Sequence, residues 1–196
     1  SVVLTLVLAA CAQGPSLSLS LGSSSIDIVL GASGELEVTV SGSGSGTVDL
    51  SVAGLPAGVT ASFDPATLAG GATSSTLTLD VDAGAAEGTS DVTVTATQGG
   101  QSASSDVQVT VSALTVNGRV VGLLDVPRVG VDVSIDGTIA TTDADGEFTI
   151  EGLSVPYDLV VYQTGAEPLA HVFAGMTTPT PEVLPYMIAT SGGGFP

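Results

Sequence analysis

Apolar and polar residues alternate with period two along most of this chain, the pattern of strands that bury one face and leave the other in water. Leu17, Leu19 and Leu21 open the series and Ile26 and Ile28 continue it. Leu36, Val38 and Val40 then share one face, opposed by Glu35, Glu37, Thr39 and Ser41. The alternation resumes at Val48, Leu50 and Val52, at Val59, Ala61 and Phe63, at Leu77, Leu79 and Val81, at Val92, Val94 and Ala96, and at Val107, Val109 and Val111. Between these runs lie turn formers. Gly42-Ser43-Gly44-Ser45-Gly46 suits a connection between strands, Leu55-Pro56-Ala57-Gly58 a turn in which Pro fixes one backbone angle and Gly frees another, and Gln98-Gly99-Gly100-Gln101 a hairpin. Short strands at this spacing predict a two-sheet sandwich over residues 17–112.

After Ala113 the pattern restarts with a different vocabulary. Leu114 to Val121 reads as an opening strand, Val129 to Asp136 as a second, and Ile139 to Thr142 as its return across the turn at Gly137. Asp143-Ala144-Asp145-Gly146 turns again, Glu147 to Ile150 follows, and Tyr157 to Tyr162 forms a further strand. The expected class is therefore all-β, with two tandem β-sandwiches, the second over residues 114–188 and a flexible tail over 189–196.

Two resemblances refine this. Residues 46–97, from Gly46-Thr47-Val48 through Leu55-Pro56-Ala57-Gly58-Val59 to Thr97, resemble the Ig-like repeats of bacterial extracellular proteins, with their LPxGV segment followed by a strand and a proline. Many members carry a Tyr where Ser90 stands, so a tyrosine-corner hydrogen bond is missing there, and the Cys–Trp–Cys core of antibody domains is missing too. The second half, with Thr142-Asp143-Ala144-Asp145-Gly146-Glu147-Phe148 as its hallmark, resembles the carboxypeptidase regulatory-like domain, a small transthyretin-like sandwich, though residues 171–188 fit it loosely. Both resemblances imply spacing, folding or binding rather than catalysis.

Composition narrows the partners. The 196-residue chain carries 20 acidic residues against Arg119 and Arg128, with no Lys, for a net charge of −18. Such a surface repels phosphate backbones and anionic head groups, so nucleic acid is excluded as a partner. Absence of Lys also excludes the isopeptide cross-links of some pilus-type sandwiches. High-salt adaptation and a G+C-rich genome both deplete Lys, and composition does not separate them. A single cysteine permits no internal disulfide, and aromatics make up only 4% of the chain, so stability must come from small apolar side chains.

That cysteine carries the strongest localisation signal. Leu8-Ala9-Ala10-Cys11, after the apolar run of residues 1–10 and before Gln13-Gly14-Pro15-Ser16, resembles a bacterial lipobox. It implies a signal peptide over residues 1–10, lipidation of Cys11 and a tether over 11–16. The chain opens at Ser1 without the Met and basic residues of a signal segment, so its reading frame is expected to be incomplete at the N-terminus. Ten apolar residues are too few to span a bilayer, which needs about 20, so acyl chains are the expected membrane mode. Ala12 is not the Asp that commonly retains lipoproteins at an inner membrane, so the outer membrane or cell surface is the expected location.

Candidate sites are few. Asp143, Asp145 and Glu147 offer three carboxylates on one turn, yet a calcium loop counted from Asp143 places Ser154 where a bidentate Glu is needed, so the hairpin reading comes first. His171 lies beside Val172 and Phe173 without a GxSxG elbow or comparable frame, which makes it an edge-strand or loop residue. One His and one committed Cys do not make a zinc site. Tyr157 and Tyr162 are the candidates for stacking on a sugar, and their odd separation sends them to opposite faces of one strand. Tyr186 and Phe195 lie in a Pro- and Gly-rich end. The sequence thus predicts a non-enzymatic, lipid-anchored cell-envelope protein without cofactors, a spacer and interaction module whose partner is a protein or a polysaccharide. Two alternatives stand beside it: the N-terminal accessory part of a longer secreted hydrolase or receptor, and a carbohydrate-binding module.

Overall fold

The structure, a computed structural model, describes residues 16–184 except 43, 70–71 and 164–168. The predicted signal peptide, Cys11, Tyr186, Phe195 and the tail lie outside the described residues. Within them the protein is all-β and forms two tandem β-sandwiches.

The first sandwich holds β1 (Ser18–Leu21), β2 (Ser25–Val29), β3 (Ser33–Ser41), β4 (Val48–Ala53), β5 (Val59–Asp64), β6 (Thr67–Leu68), β7 (Ser74–Val81), β8 (Gly88–Gln98) and β9 (Gln101–Ser112). One sheet runs in the order β1-β3-β7-β5 and the other β2-β9-β8-β4-β6. The alternating residues point inward as their period demands: Val38, Leu77, Leu79, Val92, Val94 and Val109 are fully buried between the sheets. Strand β2 joins its sheet in parallel to β9, with Ile26 beside Val109 and Ile28 beside Val111. Its alternation gives the buried face but not the neighbour or its direction.

The second sandwich holds β10 (Leu114–Val120), β11 (Asp132–Ile135), β12 (Thr138–Thr141), β13 (Glu147–Leu153), β14 (Tyr157–Gln163), β15 (Leu169–Met176) and β16 (Glu182–Val183). A three-stranded sheet β13-β10-β16 faces a four-stranded sheet β12-β11-β14-β15. Val116, Val133, Ile135, Leu159 and Val161 fill the space between them, with Phe148 and Tyr157 as the large side chains. Strand β11 begins later than the alternation from Val129 suggests. Gly130 turns the chain at φ 67° and leaves Val129 exposed, so regular pairing starts only at Asp132.

Ala113 is the single residue between β9 and β10. Three contacts fix this junction. The Ala113 N–H donates to Glu87 Oε2 at 3.1 Å, the Leu30 N–H to the Ser112 carbonyl at 3.0 Å, and the Val155 N–H, from the second sandwich, to the Leu30 carbonyl at 2.8 Å. Val29 also packs against the second core. Gly31 is what lets the two turns meet. Its φ is +81°, and a Cβ there would lie 1.9 Å from the Val155 carbonyl oxygen, an impossible approach for any other residue.

The Trp-free chain has no tyrosine before Ala113, so tyrosine emission does not report the first sandwich, while Tyr157 and Tyr162 lie in the second. Gly31→Ala, a change in the first sandwich, is expected to lower the denaturant midpoint read by tyrosine emission, at a cost of about 1–3 kcal/mol. An unchanged midpoint would show that the junction contributes nothing to the second sandwich.

Candidate functional site

The strand directions define two outer ends of the molecule. Gln98 and Gln101 close the β8–β9 hairpin at the end of the first sandwich away from the junction, where the Gln98 side chain hydrogen-bonds Gly44 and Gly46. Ser18, paired with Ser41, is at that same outer end. In the second sandwich Leu114 pairs with Leu153 beside the junction and Arg119 with Glu147 at the far end. Residues 121–130 and the turn at 143–146 therefore form the distal end of the molecule.

The distal loop is braced rather than loose. Val121 bridges Pro127, and the Gly122 N–H donates to the Val126 carbonyl at 2.7 Å. Inside this closed loop Leu124 and Asp125 adopt φ of 60° and 59°, left-handed values that cost a non-glycine residue on the order of 1 kcal/mol each. Arg119 holds the conformation from below, donating to Asp125 Oδ1 at 3.0 Å, to Glu182 Oε2 at 3.5 Å and to the Asp145 carbonyl at 3.0 Å. The Arg128 side chain lies against Gly122, where a Cβ would meet its Nε at 2.9 Å. Both arginines of the chain thus serve the loop. What they support is apolar: Leu123 is 77% and Leu124 97% exposed, with Val126 and Val129 beside them. A braced loop that holds two leucines out in water is a candidate contact surface. Sequence reading missed it, although Leu123-Leu124 between Gly122 and Pro127 breaks the period-two pattern and is the signal that was there.

Asp143, Asp145 and Glu147 sit at this end as well. Asp143 Oδ1 accepts the Asp145 N–H at 2.9 Å and the Glu147 N–H at 2.8 Å, so its carboxylate shapes the turn. Gly146, at φ +77°, brings the turn against the Val120 carbonyl, where a Cβ would be 2.6 Å away. No group of three or more His, Cys, Asp or Glu that could hold a metal occurs among the described residues.

The remaining candidates are scattered. Tyr157 points into the core, 2% exposed, and its hydroxyl donates to the Thr178 carbonyl at 2.5 Å, so its ring offers no surface to a ligand. Burial raises its phenol pKa above the ordinary 10.0. Tyr162 is half-buried on the opposite side of the same strand, beside Asp132 and Ala170 on its neighbours. His171 lies on edge strand β15, its ring 4.5 Å from that of Phe173. The structure brings none of Tyr157, Tyr162 and His171 into the Asp143–Asp145–Glu147 turn. Open depressions are lined by Glu35, Glu37 and Asp64 on the first sandwich and, at the distal end, by Arg119, Glu147 and Glu182.

No family model matches the chain, and no curated protein matches it in sequence. Among solved structures it is similar to domains 4 and 5 of the S-layer protein SbsC, at 18% identity and TM-score 0.37, covering 47% of this chain and 50% of that fragment. A longer SbsC structure, rSbsC(31-844), is matched at 14% identity and TM-score 0.37 over 82% of this chain and 25% of its own length. A chimeric titin Z1Z2 is matched at 14% identity and TM-score 0.35, covering 85% of this chain and 96% of that one. The chain thus spans half or less of the S-layer structures. Likeness at this level goes no further than tandem β-sandwich architecture and carries neither activity nor partner.

Tyr157→Phe removes the hydroxyl and is expected to cost about 1 kcal/mol at neutral pH. Because the folded phenol pKa is raised, the stability held by protonated Tyr157 is complete below the unfolded value near 10 and is lost as pH rises through the folded one. Chemical unfolding followed at pH 8 and pH 11 should therefore show a smaller alkaline loss for Tyr157→Phe than for the native chain, and an equal loss would refute the assignment.

Proposed function

We propose that this protein is a non-catalytic, lipid-anchored spacer of the bacterial cell envelope, which holds the distal end of its second sandwich away from the membrane for contact with a partner. The observation that carries this reading is the junction. One residue separates the sandwiches, and the Leu30–Val155 hydrogen bond and the Gly31 contact tie a turn of one to a turn of the other, so the two are joined end to end.

The polarity of the chain suits the role. A lipid on Cys11 would attach near Ser18, at the outer end of the first sandwich, while Leu123 and Leu124 stand at the outer end of the second. The first sandwich is of the Ig-like type and the second of the carboxypeptidase regulatory-like type in this reading, and neither needs a catalytic group to do its work. A charge of −18 keeps the module off anionic head groups, so the acyl chains alone determine where it is held.

The test is made on intact cells. Leu124→Cys in a Cys11-retaining chain gives a thiol at the distal end, to be labelled with a bulky, membrane-impermeant maleimide. Removing residues 17–112 should cut labelling severalfold by drawing that end down to the membrane, and an unrelated sandwich of the same length should restore it. Cys11→Ser should release the protein from the membrane fraction. Labelling indifferent to the first sandwich would refute the spacer, and membrane retention of Cys11→Ser would refute the lipid anchor.

A further inference from the structure

Strand β15 is an edge of its sheet, and among the described residues no strand pairs with its outer side. Native proteins protect such edges with Lys, Pro or charged side chains, because unpaired N–H and C=O groups capture other strands. Strand β15 has none of these, reading Leu169-Ala170-His171-Val172-Phe173-Ala174-Gly175-Met176. Its one protective device is a bulge at Ala174 and Gly175, where two residues face Asp158 alone, and the Gly175 N–H donates to Asp158 Oδ1 at 2.8 Å. Leu169 to Phe173 remain regular, pairing with Gln163 to Leu159.

The sheet face beside this edge carries the carboxylates of Asp132 and Asp158, both engaged in hydrogen bonds. One row crosses all four strands as Ile139, Ser134, Val160 and Val172, and its two ends are 58% and 57% exposed. The next row is Thr141, Asp132, Tyr162 and Ala170, where Thr141 donates to Asp132 at 2.8 Å. In a chain of net charge −18, an edge strand without carboxylates lets a second acidic molecule approach with little like-charge repulsion.

We infer that β15 pairs antiparallel with β15 of a second copy of this chain, joining two four-stranded sheets across a twofold axis. The occupant follows from the other edges. Strands β2, β5, β13 and β16 carry Asp27, Asp64, Glu147 with Glu151, and Glu182. The uncharged β1, β6 and β12 are no longer than four residues, against eight for β15. A basic partner strand would find no carboxylate on the regular part of β15 to recognise. Antiparallel pairing about a twofold preserves the faces of the strand in any register that centres on a residue. Centred on Val172, the pairing sets Val172 against its own copy on the outer face and His171 against the copy of Phe173, already in ring contact with it, on the other.

The experiment is sedimentation equilibrium of the full chain in mild detergent under reducing conditions, so that neither the N-terminal apolar run nor Cys11 links two copies. A reversible dimer is expected, tightening with salt as the net charge is screened. Val172→Lys should weaken it by at least about tenfold, since it sets like charges across the axis, with unchanged circular dichroism. Ile139→Lys, on the opposite edge strand, should leave it intact. A monomer at all concentrations, or a dimer indifferent to Val172→Lys, would overturn the proposal. Loss of association in Ile139→Lys would overturn it too, in favour of head-to-tail pairing of β12 with β15.

Discussion

Leu30 is the residue on which the arrangement of this molecule turns. Its side chain is buried in the first core, its N–H donates to the last carbonyl of β9, and its own carbonyl accepts the N–H of Val155 from the second sandwich. One residue thus ties a strand end, the exit of the first sandwich and a turn of the second. Gly31 beside it makes this possible by removing the side chain that would strike the Val155 backbone. Without that contact the two sandwiches would be joined by Ala113 and the packing of Val29 against the second core. With it, the distal loop and the outer end of the first sandwich are held in one relation.

The sandwiches themselves are built from modest parts. The first core is largely Val and Leu, with Phe63 only partly buried, and the chain has neither Trp nor an internal disulfide to add to it. Small β-branched side chains facing each other across two sheets suffice because the alternation is kept along most of the strands, so each residue that leaves water meets another. Acidic side chains occupy the outward positions, which is why the two faces of most strands differ so sharply. The exceptions are the distal leucines and the edge strand β15 itself, and both sit on the second sandwich.

Much of this was legible in the sequence. The period-two runs identified the buried faces of β3, β7, β8 and β9, and the Gly99-Gly100 hairpin and the Asp143–Gly146 turn stand where their residue types put them. Alternation states which side of a strand is buried, however, and not which strand lies beside it. Hence the parallel pairings of β2 with β9 and β16 with β10 were invisible, as was the use of Gly31 at a contact between residues 124 positions apart. The late start of β11 came from Gly130, whose backbone angle outweighs the apolar pattern around it. The distal leucines escaped notice because two adjacent apolar residues in a loop fit no strand template, and only their exposure reveals them.

The central claim is that the two sandwiches are held end to end as one unit. It is tested most directly by the distance distribution between spin labels at Ser45, on the outer end of the first sandwich, and Ala144, on the distal turn, in a Cys11→Ser chain. The account predicts one narrow distribution that broadens when Gly31 is replaced by Val. A broad distribution in the unaltered junction, indifferent to that replacement, would contradict it.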